Sequence, residues 1–157
     1  MNRIYKLTIV VLLGILQPFA AIAEEMMIED FKSNPETRWS FFADTVMGGA
    51  SSGSVQFVRE GEETHANLSG RVTTENNGGF IQIRSGLSDK PTVNLSGIRL
   101  VVRGNDQRYF IHLRTRTTLL PWQYYQASFD VSSEWTEVRL PFGDFKASSS
   151  MLRTKVT

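Results

Sequence analysis

The chain has 157 residues with 17 basic and 16 acidic side chains, and it contains no cysteine. This near-neutral charge argues against nucleic acid as a partner, because binding to phosphates needs a clear basic excess. The lack of cysteine excludes disulfides, lipid attachment at an N-terminal cysteine, and haem, iron–sulfur or zinc sites built on thiolates. Stability must therefore come from an apolar core, which ten Phe, three Trp and four Tyr can supply.

Residues 1–23 have the pattern of a secretory signal peptide. Arg3 and Lys6 precede an apolar run, and a small-residue pattern that a signal peptidase recognises ends at Ala23. The alternative is a retained membrane anchor, but the apolar stretch 7–23 is shorter than the ~20 residues of a membrane span. We therefore predict an exported protein, periplasmic or secreted, with no stable membrane insertion after the signal is cleaved.

The remaining residues, 24–157, have the length of a single domain. Without the two basic residues of the signal segment, 15 of the 17 basic side chains remain against 16 acidic ones, a net charge of −1. Short alternating stretches recur between Gly, Asn, Ser, Asp and Pro, and none has a helical period. The predicted strands are residues 55–58, 66–72, 79–84, 98–103, 109–116, 124–130 and 136–140. This spacing is typical of an antiparallel β-sandwich or jelly roll.

Alternation within these strands assigns one face of each to the core. In residues 108–114 every second residue is apolar, while Phe110, His112 and Arg114 share the opposite face. The predicted core residues are Leu68, Val72, Ile81, Ile83, Ile98, Leu100, Val102, Tyr109, Ile111, Leu113, Val138 and Leu140.

The stretch 44–53, DTVMGGASSG, contains three of the 12 glycines of the chain. Gly48 and Gly49 permit a positive φ or a close backbone approach, and Asp44 can accept amide hydrogen bonds within a turn. Aromatic residues on both sides anchor its ends, which indicates a tight loop rather than a linker. One interpretation is a ligand or partner loop with Met47 at its tip. The alternative is a structural bulge that sets the geometry of the sandwich.

A second candidate set combines polar and aromatic side chains from three predicted strands and their loops. Its members are Gln82, Arg84, His112, Arg114, Trp122, Tyr124 and Tyr125. Aromatic rings can stack on the C–H faces of a sugar, and arginine donors can bind its oxygens or an acidic group. The alternative is an ordinary sheet face whose aromatic residues pack under loops. With Asp44, Met47, Gly48 and Gly49, these residues make up the predicted recognition surface.

Residues suited to catalysis or metal binding do not form a pattern. The chain has two histidines, His65 and His112, which excludes a His-rich metal site. Ser51 lies in a G-x-S-x-G pattern at residues 49–53, but no helix-forming segment follows it, so the strand–turn–helix setting of a hydrolase nucleophile is missing. The acidic pairs lie at termini or in turns. We therefore predict no catalytic residues, no metal and no cofactor.

An ordered set of short motifs runs from Trp39 to Phe145. They are Trp39 followed by 44–53, then 76–80 (NNGGF), 97–100 (GIRL), 103–106 (RGND), 124–129 (YYQASF) and 135–142 (WTEVRLPF), and finally Phe145. The set resembles the complex I intermediate-associated protein 30 domain family over roughly residues 28–147. Each motif alone is weak, but the order is specific.

The resemblance implies a galactose-binding-like β-sandwich without established catalytic residues, and mitochondrial relatives that act as assembly factors for respiratory complex I (NADH:ubiquinone oxidoreductase). This chain departs from the family in carrying an export signal, which would separate it from the compartment where the matrix arm of complex I is built. It also stops at Thr157, where the family continues into one or two final strands. The chain is then a fragment, or a partner supplies the missing strand.

We therefore predict a non-catalytic, exported binding or assembly-factor module that acts on a protein complex. The alternative function is a periplasmic carbohydrate-binding domain or an accessory domain of a carbohydrate-active enzyme. The predicted partner is accordingly a protein or a carbohydrate.

Overall fold

A computed structural model describes residues 25–87 and 95–153 of the chain. The predicted signal peptide, 1–23, lies outside the described residues. Within them every regular element is a strand or a short 3₁₀ turn. The prediction of an all-β fold is confirmed. No helix in this part of the chain is long and apolar enough to cross a membrane.

Nine strands follow one another along the described residues. They are β1 (Ser40–Ala43), β2 (Ser52–Glu60), β3 (Glu63–Arg71), β4 (Ile81–Arg84), β5 (Gly97–Val102), β6 (Arg108–Leu113), β7 (Tyr125–Asp130), β8 (Thr136–Pro141) and β9 (Lys146–Ala147). Seven of them coincide with the strands predicted from the alternating pattern. Strands β1 and β9 lie outside that prediction, because the sequence of β1, SFFA, does not alternate and the two residues of β9 are too few to display a period of two.

All strand pairs are antiparallel. The pairs are β1 with β4, β2 with β3 and β5 with β8, while β7 lies between β6 and β9. The β2–β3 hairpin turns at Gly61, whose φ of 66° is in the left-handed region that glycine adopts without strain. Its register places Glu60 opposite Glu63 and Ser52 opposite Arg71, so the hairpin keeps its pairing over nine residues.

The core lies where the β5–β8 pair packs against the inner face of β6–β7–β9. Its buried residues are Tyr125, Ala127, Leu140, Phe145 and Leu152. Partly buried side chains from the facing strands pack against them: Ile98, Leu100, Ile111, Leu113, Phe129, Val138, Phe142 and Ala147. Two sheets that enclose one apolar layer make this arrangement a β-sandwich.

Two positions differ from the predicted faces. Val72 is 50% exposed, because β3 ends at Arg71 and the next residue no longer follows the alternation. Tyr125 is fully buried, so it cannot contribute to a recognition surface as predicted. Adjacent residues of a strand point to opposite faces, so Tyr124 and Tyr125 cannot both face outward once β7 is formed. The other predicted core residues are buried or half-buried.

Stacked aromatic rings hold the N-terminal part of the sandwich. Phe31 lies between Trp39 and Phe57, with ring centroids 5.6 and 5.7 Å away. Glu29 accepts hydrogen bonds from the Trp39 indole at 2.8 Å and from the Arg38 guanidinium at 2.7 Å. These contacts anchor the start of β1 and the middle of β2, which are the strands on either side of the glycine-rich loop.

Candidate functional site

The predicted recognition residues lie in two separate places of the fold. Asp44, Met47, Gly48 and Gly49 belong to the loop between β1 and β2, and Gln82 and Arg84 lie on β4, which pairs with β1. By contrast, His112, Arg114, Trp122 and Tyr124 belong to β6 and to the segment that leads into β7. The predicted residues thus belong to two different sheets, β1–β4 and β6–β7–β9, and to the loops beside them.

The first place is the Asp44 loop, defined as residues 44–51, and it is built around a fully buried carboxylate. Asp44 Oδ1 accepts a hydrogen bond from the Ser51 amide at 2.9 Å. Asp44 Oδ2 accepts from the Ser51 hydroxyl, from the Gly79 amide at 2.6 Å and from the Phe80 amide at 3.3 Å. The predicted role of Asp44 as an acceptor of amide hydrogen bonds is confirmed, and two of the donors come from a distant turn.

These contacts keep Asp44 ionised. Burial opposes the charged form, but the hydrogen bonds from Ser51, Gly79 and Phe80 outweigh it and lower the pKa of Asp44 to about 2. A carboxylate whose lone pairs are used by neutral backbone and hydroxyl donors has little capacity left for a ligand. Asp44 is therefore the support of the loop and not a contact atom on its surface.

Gly48 and Gly49 each require glycine, but for different structural reasons. Gly48 has a φ of 88°, which ordinary side chains rarely adopt. Gly49 is not in the left-handed region, and a Cβ atom there would overlap the Asp44 side chain. Gly78, in the turn on the other side, would overlap Asp44 Oδ2 in the same way. The buried carboxylate thus requires small residues on both sides.

The tip of the Asp44 loop is apolar and faces solvent. Val46 is 60% exposed and Met47 is 67% exposed. Near the base of the loop, the Arg84 guanidinium lies 4.7 Å from the centre of the Phe42 ring, and Gln82 is half-buried opposite Phe42. The loop therefore displays Val46 and Met47 on a backbone that internal hydrogen bonds hold in one conformation.

The second place is the outer face of β6–β7–β9. The His112 and Tyr124 rings stack in parallel, with centroids 4.1 Å apart and planes at 13°. His112 Nε2 lies 2.9 Å from Gln126 Oε1, and because an amide oxygen can only accept, Nε2 donates. Burial lowers the pKa of His112 more than the Gln126 hydrogen bond raises it, so the ring is held in its neutral form near pH 7.

The segment between β6 and β7 is tied down by polar contacts. The Arg114 guanidinium donates to the Thr118 and Leu120 carbonyls, both at 3.1 Å. Gln123 is buried and accepts from the Leu120 amide at 3.0 Å. Arg114 therefore stabilises the conformation of this segment, and one terminal amino group of its guanidinium is used by the two carbonyl oxygens.

The segment is also attached to the β9 side of the sheet. The Ser148 hydroxyl donates to the Trp122 carbonyl at 2.8 Å and accepts from the Tyr124 amide at 3.0 Å. Trp122 nevertheless remains 61% exposed and Leu119 82% exposed. The segment between β6 and β7 thus carries two exposed apolar side chains on a backbone that hydrogen bonds fix at several points.

A groove of about 350 Å³ runs beside β7 on this outer face. Its lining residues are Tyr124, Gln126, Ser128, Asp144, Lys146, Ala147 and Ser148. Gln126 and Ser128 could have been found from the sequence, because they share the face of Tyr124 in a strand of period two. Asp144 and Lys146 carry no such signal, since their place depends on the pairing of Gln126 with Lys146 across β7 and β9.

Neither place has the constellation of a catalytic or metal centre among residues 25–87 and 95–153. No group of three or more His, Asp or Glu side chains in this part of the chain is arranged to hold a metal ion. His112, the histidine of the outer face, stacks on a tyrosine and bonds an amide, with no nucleophile beside it.

Comparison with known families gives a match over most of the chain. The model of the family described as Complex I intermediate-associated protein 30 (CIA30) matches residues 29–154, which is most of the chain and includes both places described above. The domain of that family has the galactose-binding-like β-sandwich fold and is of an assembly-factor type. No curated protein gives a significant match to this chain.

Proposed function

Because the chain belongs to the Complex I intermediate-associated protein 30 family, we propose that it is a non-catalytic module that binds a protein complex and assists its assembly on the exported side of a membrane. The family domain is associated with complex I assembly, and its partners are therefore proteins. Our proposal adds export to what the family implies, and the signal-peptide pattern of residues 1–23 supports this addition.

One observation carries the binding role, namely the rigid display of Val46 and Met47 on the Asp44 loop. The Asp44 loop is organised around a buried carboxylate that accepts hydrogen bonds from four donors. A loop that is already ordered loses little conformational entropy when a partner binds. Methionine adapts to irregular apolar surfaces, and this adaptability suits contact with another protein.

Site-specific crosslinking tests the binding role. A photoreactive residue replaces Met47 in the exported chain, and crosslinked products are identified by mass spectrometry in the native cell. The matched control carries the same residue at Met151, which has similar exposure, 70% against 67%, but lies near the C-terminal end of the described chain. We expect one defined protein partner from position 47 and none from position 151.

Two results would contradict the binding role. Crosslinks of equal yield at both positions would mean that contact is not specific to the Asp44 loop. No crosslink at position 47, from a chain that is shown to be folded and exported, would mean that the loop has only a structural role.

Export is tested separately on the processed protein. Mass spectrometry should find Glu24 as the first residue in the exported fraction, because the small-residue pattern ends at Ala23. Recovery of the chain with Met1 intact in the membrane fraction would contradict cleavage and favour a retained anchor.

A further inference from the structure

We propose that the groove beside β7 binds a saccharide of one or two sugar units. This site uses the outer face of β6–β7–β9 and none of the residues of the Asp44 loop, so it goes beyond the protein-binding role. Three features of the groove suit such a ligand: an aromatic ring in its lining, polar side chains without protein partners among the described residues, and its dimensions.

The aromatic face belongs to Tyr124. The His112 ring stacks in parallel on Tyr124, and Tyr124 also lines the groove, so an aromatic ring held by stacking borders this cavity. An aromatic face that is fixed from behind is the surface on which the C–H groups of a pyranose ring stack.

The polar groups of the groove include both donors and acceptors. Among the described residues, no side-chain hydrogen bond or ion pair engages the Ser128 hydroxyl, the Asp144 carboxylate or the Lys146 ammonium group. The Gln126 amide nitrogen is also available, because His112 uses only its oxygen. A sugar hydroxyl both donates and accepts, so it matches a site that offers a carboxylate beside an ammonium and an amide.

Another pair of charged side chains on the same face, Arg108 and Asp130, differs from Asp144 and Lys146 in forming an ion pair. Arg108 and Asp130, which stand opposite each other on β6 and β7, form an ion pair at 2.9 Å. Asp144 and Lys146 lie two residues apart, line one groove and form no such pair with each other in the described structure. Both charged side chains line the groove, where a ligand can reach each of them.

The dimensions of the groove limit the ligand. Its volume of about 350 Å³ is at the lower end of the ~300–1,000 Å³ that small-molecule sites occupy. Because the groove carries one carboxylate and one ammonium group, it has no net charge that would select a strongly anionic compound. Neutral mono- and disaccharides are the class that matches this size and this mixture of groups.

Amide NMR titration of the processed chain tests the site. The probes are lactose, cellobiose, maltose and diacetylchitobiose, each added to millimolar concentration. We expect saturable shifts from at least one of them, confined to the amides of β7, β9 and the adjoining segment. Lys146→Ala and Tyr124→Ala should each weaken binding about tenfold or more, and Tyr124→Phe should retain it because stacking does not need the hydroxyl group.

Matched controls separate this site from the rest of the surface. Lys32→Ala removes an exposed lysine that pairs with Glu63 far along the chain from the groove, and it should leave sugar affinity unchanged. Circular dichroism melts establish that each variant is folded. The proposal is overturned if none of the four probes gives saturable shifts, if the shifts map elsewhere, or if Lys146→Ala behaves like Lys32→Ala. Crosslinking at Met47 is read independently, so failure of one proposal does not decide the other.

Discussion

Ser51 closes the Asp44 loop by donating both of its polar hydrogens to one carboxylate. Its amide lies 2.9 Å from Asp44 Oδ1, its hydroxyl donates to Oδ2, and the same hydroxyl accepts from the Thr73 amide at 3.1 Å. The pair thus joins the end of the loop to its beginning and to the segment that follows β3. The eight residues of the Asp44 loop are thus closed at both ends by contacts that are all buried or partly buried.

The first prediction concerns Ser51→Ala. Loss of the hydroxyl leaves Asp44 Oδ2 and the Thr73 amide each without one partner in a buried place, so the free energy of unfolding should fall by about 1–3 kcal/mol. Urea unfolding measures the change. Ser54→Ala on the exposed face of β2 is the control and should stay within ~0.5 kcal/mol of the parent. Equal losses in the two variants would show that Ser51 does not organise the loop.

The second prediction concerns the stability of the folded protein at acidic pH. The pKa of Asp44 is about 2 against an ordinary 3.8, and that of Glu29 is about 2 against 4.5, chiefly through the Arg38 hydrogen bond. Because both pKa values are lowered by folding, the stabilisation is complete above the ordinary values and is lost as the pH falls through about 2. The urea midpoint of the parent should therefore drop steeply between pH 4.5 and pH 2.

Variants identify the groups responsible for this acid sensitivity. Asp44→Asn and Glu29→Gln should each flatten the fall of the urea midpoint with decreasing pH, and the double variant should flatten it most. The comparison uses slopes, because each substitution also changes the stability at neutral pH. A slope that stays the same in Asp44→Asn would mean that Asp44 titrates alike in the folded and unfolded states.

The third prediction concerns the glycines that face Asp44. Gly49→Ala and Gly78→Ala would each place a Cβ atom in the space of the carboxylate, and such overpacking should cost about 1–3 kcal/mol. Gly143→Ala is the matched control, because no heavy atom lies within 4 Å of its added Cβ and its φ is not positive. Thermal melts of the three variants would contradict this account if Gly143→Ala were as destabilising as the other two.

The fourth prediction concerns Tyr125, whose hydroxyl is buried without a hydrogen-bond partner among the described residues. Tyr125→Phe removes that group and keeps the packing, so it should leave stability unchanged or raise it. Tyr125→Ala removes the largest buried side chain of the core and should cost about 3–5 kcal/mol. Destabilisation by Tyr125→Phe of more than ~1 kcal/mol would mean that the hydroxyl has a partner after all.

The sequence by itself determined seven of the nine strands and the family, because both can be recognised from residues that are close together in the chain. Alternation needs only neighbouring residues, so β5 to β8 could be predicted to within a few residues, and the ordered motifs from Trp39 onward indicated the family that the match over 29–154 confirms. The tight Asp44 loop followed in the same way from Gly48 and the flanking aromatic residues.

Tertiary structure alone decided which residues meet across the chain. Asp44 finds the Gly79 amide 35 residues away, and Lys146 reaches the groove because β9 pairs with β7. Alternation places Tyr125 with Ala127 and Phe129 on the apolar face of β7, and Tyr124 on the other side. Only the packing of β5–β8 against that face decided that Tyr125 is fully buried, because the facing strands remove its large ring from water.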